Sequence, residues 1–193
     1  MSENDSLESA LAQAVEELNQ SAIPYMLIGG LALSAWALPR ATLDIDLTLW
    51  VHANDFDGVC LHLASRYSAR TNDPLVFARN MRVLPVANGA GVRLDFLFAA
   101  YPFEKVMIDR ADVRRLGSVD VRVASLEDLI LLKLPSARSK DREDVRLLLE
   151  SYGRQLDWEY LLSVADLLAE ALDEPALASG LRDRRDSYYL PRG

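Results

Sequence analysis

From Leu43 to Val51 the chain reads Leu-Asp-Ile-Asp-Leu-Thr-Leu-Trp-Val, apolar and polar side chains taking turns over most of its length. Alternation of this kind predicts a half-buried β-strand, because successive side chains of a strand point to opposite faces. Leu43, Ile45, Leu47 and Leu49 then face a core, while Asp44, Asp46 and Thr48 share the other face. Residues two apart on a strand have Cα atoms about 6.5–7 Å apart. Two carboxylates so placed repel each other unless they are protonated, solvated or bridged by a cation.

Other stretches surround this strand with a mixed pattern. Leu7, Leu11, Val15 and Leu18 recur at helical spacing over residues 6–20, with Ser6 as the expected N-cap. Tyr25–Ile28 reads as a short buried strand, and Gly29-Gly30 turns the chain into an apolar helix that stops before Pro39. Asn54 or Asp55 is expected to cap a helix through about Ser65. Residues 75–86 and 92–99 both read as strands, joined by the turn-forming Asn88-Gly89-Ala90-Gly91. Two short strands are expected at 112–116 and 119–123. Ser125-Leu126-Glu127-Asp128 has the form of a capping box and opens a helix that Pro135 breaks. Helical periodicity continues over 141–151, 157–171 and 174–186. The expected architecture is α+β: a mixed sheet flanked by helices over residues 1–124, with a helical region, 125–193, packed on that core.

Composition narrows the setting. The single cysteine, Cys60, excludes an internal disulfide. No apolar run approaches the ~20 residues that span a bilayer. The first residues, MSENDSLESALAQ, lack the basic and apolar regions of a signal peptide, so a cytoplasmic protein is expected. The net charge of −8 argues against binding a polyanion through an overall positive field. Basic residues are nonetheless dense between Lys105 and Arg146, where a solvated mixed-charge surface and a nucleotide- or RNA-binding patch both fit. His52 and His62 are too isolated to suggest a zinc site.

Asp95 stands alone as an acid in Val92-Arg93-Leu94-Asp95-Phe96-Leu97-Phe98. A partly buried carboxylate needs a partner, and two readings are open: an ion pair with Arg93 or another basic neighbour, or a third ligand beside Asp44 and Asp46. Magnesium favours hard oxygen ligands, and paired ions in phosphoryl-transfer sites lie roughly 3.5–4 Å apart. Gly29-Gly30, ahead of these acids, suits a close backbone approach to phosphate at a strand-to-helix turn. Glycines there serve any tight turn equally well.

Gly29-Gly30-Leu31-Ala32 followed by Arg40-Ala41-Thr42-Leu43-Asp44-Ile45-Asp46 resembles the signature of the DNA-polymerase-beta-like nucleotidyltransferase superfamily, closest to its AbiEii/AbiGii-type toxin branch. Lys133, Arg138, Asp141 and Asp144 are similar to a downstream motif of that branch. The resemblance covers about residues 24–148. It implies transfer of a nucleoside monophosphate from an NTP to an acceptor hydroxyl, with Mg2+, two ions, on Asp44, Asp46 and Asp95. Gly29, Gly30, Arg40 and Lys133 would bind the triphosphate, and Asp141 would orient Lys133 or the acceptor. Bland readings stand beside these: Arg40 neutralising a carboxylate, Lys133 lying along an amphipathic helix, and Asp141 capping the helix after it. RNA, a tRNA end above all, is the acceptor the toxin branch implies, with a cognate antitoxin as partner. A small-molecule antibiotic acceptor is the alternative, as is an inert nucleotidyltransferase-fold binding module.

Overall fold

The computed structural model describes residues 3–36, 38 and 42–189, and divides into two units, Met1–Ala124 and Ser125–Gly193. The first unit runs α1 (Glu3–Gln20), β1 (Tyr25–Ile28), α2 (Gly29–Ala35), β2 (Asp44–Leu49), α3 (Phe56–Arg66), β3 (Ser68–Ala69), α4 (Pro74–Met81), β4 (Val83–Ala87), β5 (Arg93–Phe98), α5 (Pro102–Arg110), β6 (Asp112–Leu116) and β7 (Val119–Val123). The second is helical: α6 (Leu126–Lys133), α7 (Ser139–Tyr152), α8 (Trp158–Leu172) and α9 (Ala176–Tyr189).

The strands form one seven-stranded sheet in the order β3-β4-β5-β2-β1-β7-β6. Its centre is mixed: β1 pairs antiparallel with β2, whereas β2–β5 and β1–β7 are parallel. The parallel pairs require crossovers, and helices supply them. Ile45, Leu47, Leu49, Leu94 and Phe96 are fully buried on the inner face of β2 and β5, as their alternation predicts. Burying a side chain of this size contributes roughly 1.5–3 kcal/mol. Glu8 of α1 accepts a hydrogen bond from the Ser118 backbone N–H at 2.7 Å, tying that helix to the turn between β6 and β7. At its other end Glu17 meets His62 and Arg66 of α3, at 2.5 and 3.1 Å.

Several elements differ from the sequence reading. Ser6 lies within α1, which begins at Glu3, so it is no N-cap. Residues 74–81 are helical where a strand was expected. Asp73 accepts a hydrogen bond from the Val76 N–H, and Pro74 takes the first helical position, so local start signals outweigh the β-branched Val76 and the aromatic Phe77. Arg82, left-handed at φ 55°, ends that helix and opens β4. Helix α5 and the two-residue β3 have no counterpart in the sequence reading; Pro102 and Glu104, which accepts from the Tyr101 N–H at 2.9 Å, start α5. Ser125 caps α6 as expected, accepting from the Asp128 N–H at 3.2 Å. Helix α2 ends at Ala35, before Pro39 as expected, while residues 37 and 39–41 lie outside the described residues.

Candidate active site

The parallel β2–β5 register sets Asp46 beside Asp95 and Asp44 beside Arg93. Neighbouring strands lie about 4.8 Å apart, and side chains at matched positions leave the sheet on the same face. Asp44, Asp46, Arg93 and Asp95 therefore occupy two adjacent rows of one face. The row of Asp46 and Asp95 continues to Ile28 of β1 on one side and Pro85 of β4 on the other. Beyond Pro85 lies Arg70, whose N–H donates to the Pro85 carbonyl at 2.9 Å.

Two arginines face this group. Arg93 Nε lies 2.6 Å from Asp44 Oδ1, and Arg70 Nη1 lies 3.5 Å from Asp95 Oδ1. The sequence offers Arg93 or another basic neighbour as the partner of Asp95; Arg93 pairs with Asp44, and Arg70 is the basic neighbour of Asp95. Arg70 escaped notice because only the short β3 pairing brings it next to Pro85. Both carboxylate oxygens are shielded from solvent, and neither accepts a hydrogen bond. Burial pushes the Asp95 carboxyl above its usual range; Arg70 opposes this, and the negative charge of Asp44 reinforces it.

Gly29 explains how Asp46 fits. Its φ of +73° is left-handed, and a Cβ built on it would strike the Asp46 carboxylate. Glycine is thus required twice here, by the backbone angle and by the acid lying against it. At Gly30 a Cβ would come within 3.0 Å of the Thr42 side chain. Both glycines belong to α2, which has seven residues and no side-chain cap. The diglycine therefore begins the helix rather than preceding it. Its closeness to Asp46, not a long helix dipole, connects it to the carboxylates.

Among the described residues no group of three or more His, Cys, Asp or Glu side chains is placed to hold a metal ion by itself. Asp44 and Asp95 are each matched to an arginine. The donor set is nevertheless of the kind a hard cation takes: carboxylate oxygens on one face, two of them shielded and without hydrogen bonds. An open set of this sort leaves positions for substrate oxygens.

Lys133 and Asp141 belong to the helical unit. Lys133 ends α6, and its ammonium lies 2.9 Å from both Asp141 Oδ1 and Asp144 Oδ2 of α7. Asp141 Oδ2 also accepts from the Ser136 hydroxyl at 2.7 Å and from Arg138 Nε at 2.6 Å. Burial pushes the Asp141 carboxyl up, but the bonds from Ser136, Lys133 and Arg138 outweigh it and hold it at about 2. Asp141 is not the cap of its helix; Arg138 occupies that position, and Asp141 sits in the first turn. Asp144 is almost fully buried. Arg40 lies outside the described residues.

The fold is that of nucleotidyltransferases. The chain is similar to ANT(2")-Ia in complex with adenylyl-2"-tobramycin, at 19% identity and TM-score 0.53, over 91% of this chain and 97% of that one. It is also similar to the lincosamide antibiotic adenylyltransferase LnuA in its lincomycin-bound form, at 15% identity and TM-score 0.52, over 73% and 95%. An antigenic nucleotidyltransferase-like protein from Paracoccidioides brasiliensis matches at 15% identity and TM-score 0.51, over 91% and 93%. No curated protein matches the chain. Residues 7–171 match the family described as "Nucleotidyl transferase of unknown function (DUF2204)", and the chain belongs to that family. It is an enzyme of the nucleotidyltransferase class.

Proposed function

We propose that this enzyme moves a nucleoside monophosphate from an NTP to an acceptor hydroxyl, using Mg2+, two ions, held by Asp44, Asp46 and Asp95. The observation that carries this reading is the parallel register of Asp46 with Asp95, with Gly29 against Asp46. The acceptor oxygen attacks the α-phosphorus and a new P–O bond forms. The bond to the β-phosphate oxygen breaks, and pyrophosphate leaves with the electron pair. Asp95 takes the acceptor proton at Oδ2, the oxygen not turned to Arg70. The metal, when bound, neutralises triphosphate charge and orients the α-phosphate. Backbone N–H groups of Gly29 and Gly30 bind triphosphate oxygens, with Arg40 as a further phosphate contact proposed from the motif alone. Lys133 and Asp141 are read as an internal clamp of the helical unit, because Lys133 is already matched to two carboxylates.

The acceptor we favour is a small hydroxylated molecule of the antibiotic kind. Many basic residues that made RNA attractive are engaged locally: Lys105 with Asp109, Arg115 with Asp120, Arg138 with Asp141, and Arg146 with Glu143 and Glu150. The net charge of −8 adds to this. Two of the similar structures concern antibiotic-modifying enzymes. A second reading, transfer to an RNA or tRNA end by a toxin with an antitoxin partner, is favoured by the Arg40-to-Asp46 motif and its AbiEii-type resemblance. No helix among the described residues is long and apolar enough to cross a membrane. With one cysteine and an NTP as substrate, the cytoplasm is the compartment proposed.

Incubation with Mg2+ and each labelled NTP, against an antibiotic panel and total tRNA, tests both readings. Label on a drug supports the first, and label on tRNA the second. Asp44→Ala and Asp46→Asn are expected to lose on the order of 100- to 1,000-fold in rate. Full activity in either would remove the metal-site assignment.

A further inference from the structure

Asp44, Asp46 and Asp95 place three carboxylates in two adjacent rows of one sheet face. Such a group is unstable by itself, because like charges on neighbouring strands repel. Arg93 and Arg70 answer this at two points. Each directs its guanidinium at the Oδ1 atom of one acid, at 2.6 Å on Asp44 and 3.5 Å on Asp95. These are the same two oxygens that solvent does not reach and that accept no hydrogen bond. The carboxylates as a whole stay about two-fifths exposed, and the arginines are 51% and 41% exposed. The guanidiniums thus cover selected oxygens without being locked by hydrogen bonds or burial. A buried ion pair would be hard to open, whereas an exposed one of this geometry is weak.

We propose that Arg93 and Arg70 are exchangeable counterions of the metal-free site, covering Asp44 and Asp95 until a divalent cation takes those oxygens. The inference rests on reading the three aspartates as the metal-holding set. Cation and guanidinium compete for the same atoms, so the arginines set the metal affinity without themselves being ligands. Both lie on exposed, flexible side chains, and displacement frees their forks to meet the phosphates that accompany the metal. Arg93 has the stronger effect because its contact is shorter. These are positioning residues, distinct from the acids that touch the cation.

Calorimetric titration of the full-length protein with Mn2+, in the absence of nucleotide, reads the competition directly. Arg93→Gln is expected to bind Mn2+ at least about threefold more tightly than wild type, and Arg70→Gln to shift the same way by less. Without metal both variants unfold at lower urea, since the acids then lack their counterion; at saturating Mn2+ the difference narrows. Arg82→Gln removes a like charge from the same unit, where the side chain contacts Phe56 and the Ala99 carbonyl instead of these acids. It is expected to stay within about twofold of wild type, separating contact from general field. Arg93→Lys, which keeps the charge without the fork, falls between wild type and Arg93→Gln, and serves if the Gln variant does not fold.

Unchanged or weaker Mn2+ binding in the arginine variants overturns the proposal, as does an equal gain in Arg82→Gln. If wild type binds Mn2+, Asp46→Asn does not, and the arginine variants match wild type, the metal site stands and the counterion role falls. If wild type and every variant fail to bind, both fall together.

Discussion

A methyl group at Gly29 would meet the Asp46 carboxylate at once, on a backbone already at φ +73°. Both burdens, the left-handed backbone and the carboxylate lying where the Cβ would go, fall on the same substitution. Gly29→Ala is therefore expected to cost about 1–3 kcal/mol and to abolish most Mn2+ binding, since Asp46 is displaced. Gly58, inside α3, provides the contrast. Nothing lies within 4 Å of its built Cβ, and Gly58→Ala is expected to stabilise by about 0.5–1 kcal/mol. Urea denaturation of the two variants, with Mn2+ titration of each, measures the difference. Equal stability of Gly29→Ala and wild type would show that the left-handed turn is not a constraint. At this scale the sequence is informative but imprecise. The diglycine was legible as a close approach of backbone to phosphate or as a tight turn; the neighbour in the structure is an aspartate carboxylate, and that depends on pairing between β1 and β2 that local pattern does not encode.

At the level of elements, the helix pair α6–α7 is joined by a charge cluster whose pH behaviour is predictable. Asp141 titrates at about 2 in the folded chain against an ordinary 3.8. A carboxyl depressed on folding adds stability above its unfolded value, and that stability is lost as pH falls through the folded one. The window is therefore from about pH 4 down to about pH 2, and the contribution near neutrality is about 2 kcal/mol. Asp141→Asn is expected to destabilise the chain by about that amount at pH 7, with the gap to wild type closing toward pH 2. Denaturation midpoints across this range, for both proteins, check the sign and the window. A gap that stays constant with pH would mean the loss comes from packing alone.

Helices and strands divide instructively in how far they could be read. The alternation of Leu43–Val51 and of Val92–Phe98 predicted β2 and β5 and the facing of Asp44, Asp46 and Asp95, because a core on one side imposes period two. Register between the strands was not legible, since it is fixed by crossovers far apart in sequence, and with it went the partners of both arginines. Helix α4 was missed for the opposite reason: its Asp73-Pro74 start signal is local, but Val76 and Phe77 suit a strand equally well. The capping of α6 by Ser125 was readable because cap and helix lie within four residues.

For the whole molecule, charge bears on the acceptor. A net charge of −8 draws cations to the protein and repels polyanions over distances of about a Debye length. The effect acts on encounter and binding, leaving the chemical step untouched once substrate is in place. For a polycationic hydroxylated acceptor, KM is therefore expected to rise severalfold as ionic strength goes from about 50 to about 300 mM, with kcat constant. An uncharged acceptor of similar size should show no such rise. For RNA the field acts in reverse: added salt screens the repulsion, so a flat or falling KM is expected unless a local basic groove dominates. Counterion release at such a groove would raise KM steeply with salt. Steady-state kinetics with Mg2+-NTP held saturating distinguishes these cases, because only the acceptor's charge then varies. A cationic acceptor whose KM ignores salt would mean that binding rests on groups at the site, with the overall acidity of the chain playing no part in selecting it.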